Sequence, residues 1–178
     1  MSILRFDWAL CAFLLSCSPD VIEGDKSTAE ACREHGVICT FAGNGEAGLG
    51  EDGIAAAEAA LYLPQDLTFG PDHKAYVLDW NNHRVRTVYD GTIETVIGTG
   101  YLGDAEDGPA TEVALNHPTH VAFDRNGYLI LSAWHNSKIM RYDPDSTLME
   151  TLCGDGRREY GGDGGPATRA APPRARAH

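Results

Sequence analysis

Two short runs of the sequence carry side chains suited to binding a ligand. Trp80-Asn81-Asn82-His83 and Trp134-His135-Asn136 combine aromatic rings with amide and imidazole groups, and they lie 54 residues apart. Such groups contact ligands when loops expose them on one surface. The alternative role is internal, with the Trp packed at a strand edge and the Asn capping a turn. We predict a binding face here and keep the structural role open for each residue.

Both runs belong to a repeat that extends through most of the chain. Thr40-Phe-Ala-Gly43 matches Thr95-Val-Ile-Gly98 and Thr151-Leu-Cys-Gly154, at separations of 55 and 56. Four antiparallel strands per repeat predict an all-β fold, a partial β-propeller of about two four-stranded blades and the start of a third. The strand candidates, separated by turn signals, are residues 65–69, 74–79, 84–89 and 92–97, then 119–123, 128–133, 138–142 and 148–152.

Blade topology predicts which loops share a face. With the first strand innermost, the link from the preceding blade and the turn between the second and third strands fall on the same side. Asp52 and Asp107 occupy matching positions in two links. We therefore expect these carboxylates beside the Trp-containing runs. They also suit Ca²⁺, although the ligand spacing of an EF-hand is absent.

The repeat resembles a known family. The run Asp79-Trp-Asn-Asn-His-Arg-Val-Arg86, with Gly91-Thr-Ile-Glu-Thr-Val-Ile-Gly98 and Asp107-Gly-Pro-Ala-Thr111, is similar to the NHL-repeat β-propellers, in particular those of bacterial exported lipoproteins. The resemblance covers residues 40 to about 168. The second copy departs from it, with Ala133, Ser137 and Lys138 in place of Asp79, His83 and Arg84. The resemblance implies closure with about six blades, so the chain is similar to a truncated member.

The same resemblance implies where a metal would bind. Some NHL-type enzymes, the peptidyl-hydroxyglycine lyases, bind zinc through histidines of the central channel, and Pro118-Thr-His120 resembles that arrangement. Asp66 occupies the matching position in the first blade, and a carboxylate with an imidazole suits a divalent ion. A zinc site needs at least three protein ligands. We therefore expect no cofactor; the alternatives are zinc at Asp66 and His120, or calcium at Asp52 or Asp107.

The N-terminus predicts export. The apolar run from Trp8 to Leu15 is too short to span a bilayer and suits a signal peptide. Leu14-Leu-Ser-Cys17 resembles the lipobox of bacterial lipoproteins, so we predict lipid attachment at Cys17, with an ordinary export signal or a mis-assigned start as alternatives. The predicted location is the bacterial outer membrane or its periplasmic side. Cys32 and Cys39 are close enough for a small-loop disulfide in an oxidising compartment.

Composition excludes several functions. A net charge of -12 argues against nucleic-acid binding, which needs a basic surface to neutralise phosphates. The Gly-rich links are not followed by a Lys-bearing helix, so they are turns and not phosphate-binding loops. No Ser/His/Asp or Cys/His nucleophile arrangement stands out in the sequence.

These observations predict an exported, lipid-anchored module that binds a protein or a small molecule, or acts as a scaffold. It would meet the membrane only through its anchor. One alternative is a metal-dependent lyase- or lactonase-like enzyme with its site in the channel. Another is a fragment without independent function, whose open blade edges invite self-association. The predicted segments are a signal peptide at 1–17, a spacer at 18–39, repeats at 40–94 and 95–150, a partial repeat at 151–168 and a disordered tail at 169–178.

Overall fold

The computed structural model describes Cys32 and residues 35–172 of the chain. The chain falls into two units, residues 1–39 and 40–178. In the first unit, Cys32 and Cys39 form a disulfide with a Cα–Cα distance of 5.8 Å, which confirms the predicted pair. The lipidation candidate Cys17 lies outside the described residues. Among the helices that are described, none has the length and apolar character that a membrane crossing requires.

The second unit is all-β and begins with a sheet that we call blade A. Its strands are β1 (Ile54–Ala55), β2 (Pro64–Phe69), β3 (Ala75–Asp79), β4 (Arg84–Tyr89) and β5 (Thr92–Ile97). They are all antiparallel, in the order β1-β5-β4-β3-β2. The turn between β4 and β5 contains Asp90 and Gly91, whose positive φ angles of 48° and 75° suit a tight hairpin.

Blade B repeats this arrangement. Its strands are β6 (Gly108–Pro109), β7 (His120–Phe123), β8 (Leu129–Ala133), β9 (Lys138–Asp143) and β10 (Leu148–Cys153). They lie in the order β6-β10-β9-β8-β7. In both blades the four longer strands agree with the predicted strands to within one residue at each end. The structure therefore confirms a partial β-propeller with two blades.

Each blade contains a fifth strand that was not predicted, because β1 and β6 lie in the links. We call residues 43–63 link 1, residues 98–119 link 2 and residues 154–172 link 3. A strand of two residues shows no alternation of apolar and polar positions, and its Gly, Ala and Pro content is typical of a loop. Within link 3, Gly161 and Ala171 form an isolated antiparallel bridge.

The three links share one local structure. Each contains a short 3₁₀ helix, at Ala56–Glu58, Ala110–Glu112 and Ala167–Arg169. In each, the N–H of the first Gly donates to the carbonyl of the first helical residue, over 2.9, 2.9 and 3.1 Å. The links are therefore ordered elements of the fold, with backbone hydrogen bonds formed within each link.

The main core lies between the two blades. Successive residues of a strand point to opposite faces of its sheet, so Tyr76 and Leu78 of β3 face blade B while Ala75 and Val77 face link 1. Burying a Leu or Ile side chain stabilises the fold by about 1.5–3 kcal/mol. The residues of this shared core include Leu78, Val85 and Ile97 of blade A, Leu115 of link 2, and Val121, Leu129, Leu131 and Met140 of blade B.

Candidate functional site

The two Trp-containing runs form identical turns at one end of the blades. Trp80–Asn82 and Trp134–Asn136 are single 3₁₀ turns, each closed by a residue in the left-handed conformation, His83 and Ser137, with φ of 53°. The N–H of that residue donates to the carbonyl of the Trp over 3.1 Å in both turns. His tolerates this conformation better than most residues do. The two turns therefore place their side chains at matching positions in the two blades.

The Asn residues of these turns hold the links. The Nδ2 of Asn82 donates to the carbonyl of Gly48 over 2.7 Å, and the Nδ2 of Asn136 donates to that of Gly103 over the same distance. Both side chains are buried. Since their amides are used inside the protein, we leave Asn82 and Asn136 out of the surface that could contact a ligand.

Asp79 holds the turn of blade A in place through polar contacts. Its Oδ1 accepts the N–H of Tyr62 over 2.8 Å, and its Oδ2 accepts the Nδ2 of Asn82 over 2.8 Å. The same Oδ2 lies 3.5 Å from the Nη2 of Arg84, which also donates to the carbonyl of Gly50 over 3.2 Å. Burial, followed by the charge of the adjacent Arg86, lowers the pKa of Arg84 from its usual value. Asp79 is therefore a structural carboxylate with three polar partners.

Blade B holds the corresponding turn and link together without a carboxylate at this position. Ala133 stands at the position of Asp79, and the Oδ1 of Asn136 accepts the N–H of Asn116 over 2.9 Å, in the place of the Asp79–Tyr62 bond. Lys138 replaces Arg84, and its Nζ donates to the carbonyl of Ala105 over 2.8 Å. The substitutions in the second copy therefore change the hydrogen-bond partners of the turn and leave its backbone geometry unchanged.

The acidic link residues are bonded to the outer strands. Asp52 Oδ1 lies 2.7 Å from the Nη2 of Arg86 and accepts the hydroxyl of Thr95 over 2.9 Å. Asp107 accepts the N–H and the hydroxyl of Thr151, over 2.8 and 2.6 Å. These contacts fasten each link to its neighbouring strand. They engage the Oδ1 oxygen of each carboxylate.

A row of three histidines crosses the junction between the blades. The rings of His83 and His117 have centroids 4.5 Å apart, and those of His117 and His135 are 5.0 Å apart. Trp80 packs against His117 with ring centroids 4.6 Å apart, and Trp134 packs against His135 with centroids 3.9 Å apart. We call these five side chains the histidine row. His117 was not among the predicted site residues, because its only signal is its position before the repeat Pro118.

Burial lowers the pKa of two histidines of the row, His83 and His117. His83 Nδ1 accepts the N–H of His117 over 3.2 Å, so this nitrogen carries no proton. Burial, together with the charges that His117 and His135 would carry, lowers the pKa of His83 to about 4. Burial also lowers the pKa of His117. His83 and His117 are therefore neutral at pH 7, and His83 is itself buried.

A polar cleft of about 440 Å³ adjoins the row at His135. Its charged lining has both signs: Lys138, Arg157 and Arg158 against Asp104, Glu106 and Asp155. The Nη2 of Arg158 donates to the carbonyl of His135 over 3.3 Å. Tyr101 and Leu102 of link 2, immediately before Gly103, are exposed. An imidazole ring and charged side chains of both signs therefore occur together in this cleft.

The two axis residues that were proposed as metal ligands meet across the blades. His120 Nδ1 lies 2.7 Å from Asp66 Oδ2, which also accepts the N–H of Val121 over 2.9 Å. Within residues 35–172 and at Cys32, no three His, Cys, Asp or Glu side chains are grouped so as to hold a metal ion. The pair joins the innermost strands β2 and β7 and offers two ligands where zinc requires three.

No family model matches this sequence. The curated protein SUPPRESSOR OF QUENCHING 1, chloroplastic, of Arabidopsis thaliana is 29% identical over 136 residues, which cover 70% of this chain and 13% of that protein.

Two solved structures from Bacteroides thetaiotaomicron are similar to part of this chain. A protein of unknown function has 21% identity and a TM-score of 0.46, over 49% of this chain and 23% of that one. An auxiliary nutrient binding protein has 20% identity and a TM-score of 0.44, over 55% of this chain and 29% of that one. The chain spans less than a third of the length of each of these three proteins.

Proposed function

We propose that this chain belongs to an exported NHL-type propeller and binds a peptide segment of another protein at the junction of blades A and B. The observation that carries the proposal is the histidine row beside the polar cleft. Uncharged rings stack on aromatic side chains and on peptide planes, while a cleft lined by both signs of charge suits a segment with both acidic and basic residues. The net charge of -12 disfavours polyanions.

The surface differs from a site for a small apolar ligand. The cleft is lined mostly by polar and charged side chains, among them Lys138, Arg158 and Asp155. Small-molecule sites are usually enclosed and lined mostly by apolar side chains. A cleft lined by polar and charged side chains is better matched by an extended peptide, which brings its own backbone donors and acceptors.

Intrinsic fluorescence provides the test, because Trp80 and Trp134 belong to the row. The purified chain is titrated with a panel of short synthetic peptides that carry both acidic and basic residues. For the best binder, Arg158→Glu should weaken binding at least about tenfold, or about 1.4 kcal/mol. The control is Arg125→Glu, the same charge change at an exposed residue of the β7–β8 turn. Equal binding by the two variants, or no spectral change with any peptide, would refute the proposed function.

Export and lipid anchoring remain part of the proposal. The disulfide between Cys32 and Cys39 supports an oxidising compartment, since such bonds are rare where thiols are kept reduced. We expect expression in a bacterium to give a membrane-associated protein that incorporates labelled fatty acid. Cys17→Ser should abolish the label, and a label that persists in this variant would exclude Cys17 as the attachment site.

The enzymatic alternative rests on one observation, the contact of Asp66 with His120 at the axis. If this pair holds a metal, the purified chain should contain zinc or calcium in a stoichiometric amount. The variant His120→Ala should then lose it. A metal-free preparation whose thermal stability is unchanged by a chelator would remove this alternative.

A further inference from the structure

A second cavity, of about 400 Å³, crosses the junction of the blades at the end opposite the histidine row. Strand β3 runs between the two ends, since the β2–β3 turn precedes it and the turn at Trp80 follows it. One wall carries Asp72 of the β2–β3 turn, and the other carries Asp143 and Asp145 at the β9–β10 turn of blade B. We call this cavity the junction pocket. Its volume is in the range of small-molecule sites, about 300–1,000 Å³.

Aromatic rings form the apolar part of the junction pocket. Tyr76 of β3 and Phe123 of β7 meet across the two blades, with ring centroids 4.9 Å apart and an angle of 71° between the rings. Tyr128 also lines the pocket, and the Cζ of Arg141 lies 4.4 Å from the centre of its ring. Arg141 forms an ion pair with Glu150, so it adds no excess positive charge. Aromatic rings provide a surface for an aliphatic chain and attract a cation through their π-electrons.

The charge of the junction pocket is negative, because three carboxylates line it against one ammonium group. Lys74 Nζ lies 3.3 Å from Asp72 Oδ2, so these two charges offset each other. The excess negative charge is therefore on the wall of blade B, at Asp143 and Asp145, which form no ion pair with any described residue. Asp143 accepts the Ser146 hydroxyl over 2.8 Å and the N–H of Asp145 over 2.9 Å, and these bonds lower the pKa of Asp143. Its carboxylate is therefore charged at neutral pH.

A buried hydroxyl beside the junction pocket lacks a hydrogen-bond partner. Tyr142 is 5% exposed, and its ring packs in the core that the blades share. The Tyr76 hydroxyl donates to Asp72 Oδ2 over 3.1 Å, whereas the Tyr142 hydroxyl forms no hydrogen bond within the described part of the chain. Burial raises the pKa of Tyr142, and the charges of Asp143 and Asp72 raise it further, so this hydroxyl lies within electrostatic reach of both walls. Because nearly all buried polar groups in proteins are hydrogen-bonded, the hydroxyl indicates a partner supplied from the pocket.

We infer that the junction pocket binds a small organic cation, an ammonium group carried on an aliphatic chain. An ammonium group has three N–H donors and no acceptor, so it matches the carboxylates of Asp143 and Asp145 and the hydroxyl oxygen of Tyr142. The aliphatic chain would lie on the rings of Tyr76 and Phe123. A metal ion fits less well, because no three His, Cys, Asp or Glu side chains among the described residues are grouped to hold one. The inference is independent of the peptide proposed for the histidine row.

The test uses hexylammonium chloride as the probe and follows the backbone amide signals of the purified chain by ¹H–¹⁵N NMR. Gly127 and Tyr128 line the pocket and report on it. We expect their signals to shift and to saturate with a dissociation constant below about 5 mM. Sodium hexanoate has a chain of the same length with the opposite charge and should give no saturating shift, and sodium chloride controls for ionic strength. A weaker dissociation constant for hexylammonium, or equal shifts with hexanoate, would overturn the inference.

Two variants separate a specific site from general attraction to an acidic protein. Asp143→Asn combined with Asp145→Asn removes the excess charge but keeps an oxygen for the turn, and it should weaken binding at least about tenfold. Tyr142→Phe should weaken binding at least about threefold and leave the midpoint of urea unfolding unchanged, because the hydroxyl has no partner among the described residues. The matched control is Asp90→Asn, the same charge change at an exposed residue of the corresponding β4–β5 turn, and it should bind as the parent does. Binding by the double variant or by Tyr142→Phe that equals binding by the control would overturn the inference.

Discussion

Replacing Asp79 by Ala tests how blade A holds its link. The substitution removes the acceptor for Tyr62 N–H and Asn82 Nδ2 and leaves the guanidinium of Arg84 buried without its carboxylate. Asn82 can recover one of these bonds by offering its Oδ1 to Tyr62, as Asn136 does for Asn116 in blade B. The uncompensated charge then dominates, and breaking a buried ion pair from one side costs about 3–5 kcal/mol. We expect Asp79→Ala to lower the free energy of unfolding by that amount.

The sequence of blade B indicates a second substitution that should restore part of the lost stability. Asp79→Ala combined with Arg84→Lys reproduces Ala133 and Lys138, and a flexible ammonium can reach a link carbonyl as Lys138 does. The double variant should be at least about 1 kcal/mol more stable than the single variant, a coupling typical of residues in one network. Urea unfolding monitored by circular dichroism measures both values. Asp145→Ala, at an exposed turn residue, should stay within about 0.5 kcal/mol of the parent. A cost below about 1 kcal/mol for Asp79→Ala would show that the carboxylate does not hold the link.

Three further predictions concern other buried polar groups. Arg86 is fully buried, with its Nε and Nη1 unpartnered. Its counterpart in blade B is Met140, so Arg86→Met should leave urea stability unchanged or raise it by about 1 kcal/mol, and a loss above 2 kcal/mol would contradict this. Because the pKa of His83 is lowered to about 4, the contribution of neutral His83 to the free energy of unfolding is complete above its usual pKa of 6.5. That contribution, at most about 3 kcal/mol, is lost as the pH falls from 6.5 toward 4. His83→Asn should therefore flatten the dependence of stability on pH in this window, and an unchanged dependence would contradict the prediction. Asn136→Ala should cost about 2–3 kcal/mol in urea unfolding because the N–H of Asn116 loses its acceptor, whereas a neutral result would mean that another group replaces it.

The fold was predictable from the sequence where the pattern is repeated and local. The alternation of apolar residues and the Asp90-Gly91 turn located the longer strands, and the spacing of Cys32 and Cys39 predicted their disulfide. The two-residue strand Ile54–Ala55 was not predictable, because its partner Ile93 lies 39 residues further on and no local period marks it. Tertiary pairing alone makes it a strand.

The candidate site was predictable only in part, for a different reason. The turns at Trp80 and Trp134 were found because they recur, but recurrence does not tell an exposed side chain from one used internally. Asn82 and Asn136 recur because they bind link carbonyls. His117, which recurs in no other copy, joins two turns that are distant in sequence. Which residues lie beside it depends on how the blades pack, and a single sequence does not contain that information.

The pairing of β1 with β5 also has a consequence for synthesis on the ribosome. Residues 54–55 leave the ribosome before the strands of blade A, yet their hydrogen-bond partners at Ile93 and Thr92 emerge last of that blade. The nascent chain must therefore keep this segment unpaired while β2, β3 and β4 form hairpins in order. Addition of β5 then closes the sheet and fixes link 1 in one step. Each completed blade would be sealed at its outer edge before the next begins, so assembly proceeds from the N-terminus one blade at a time.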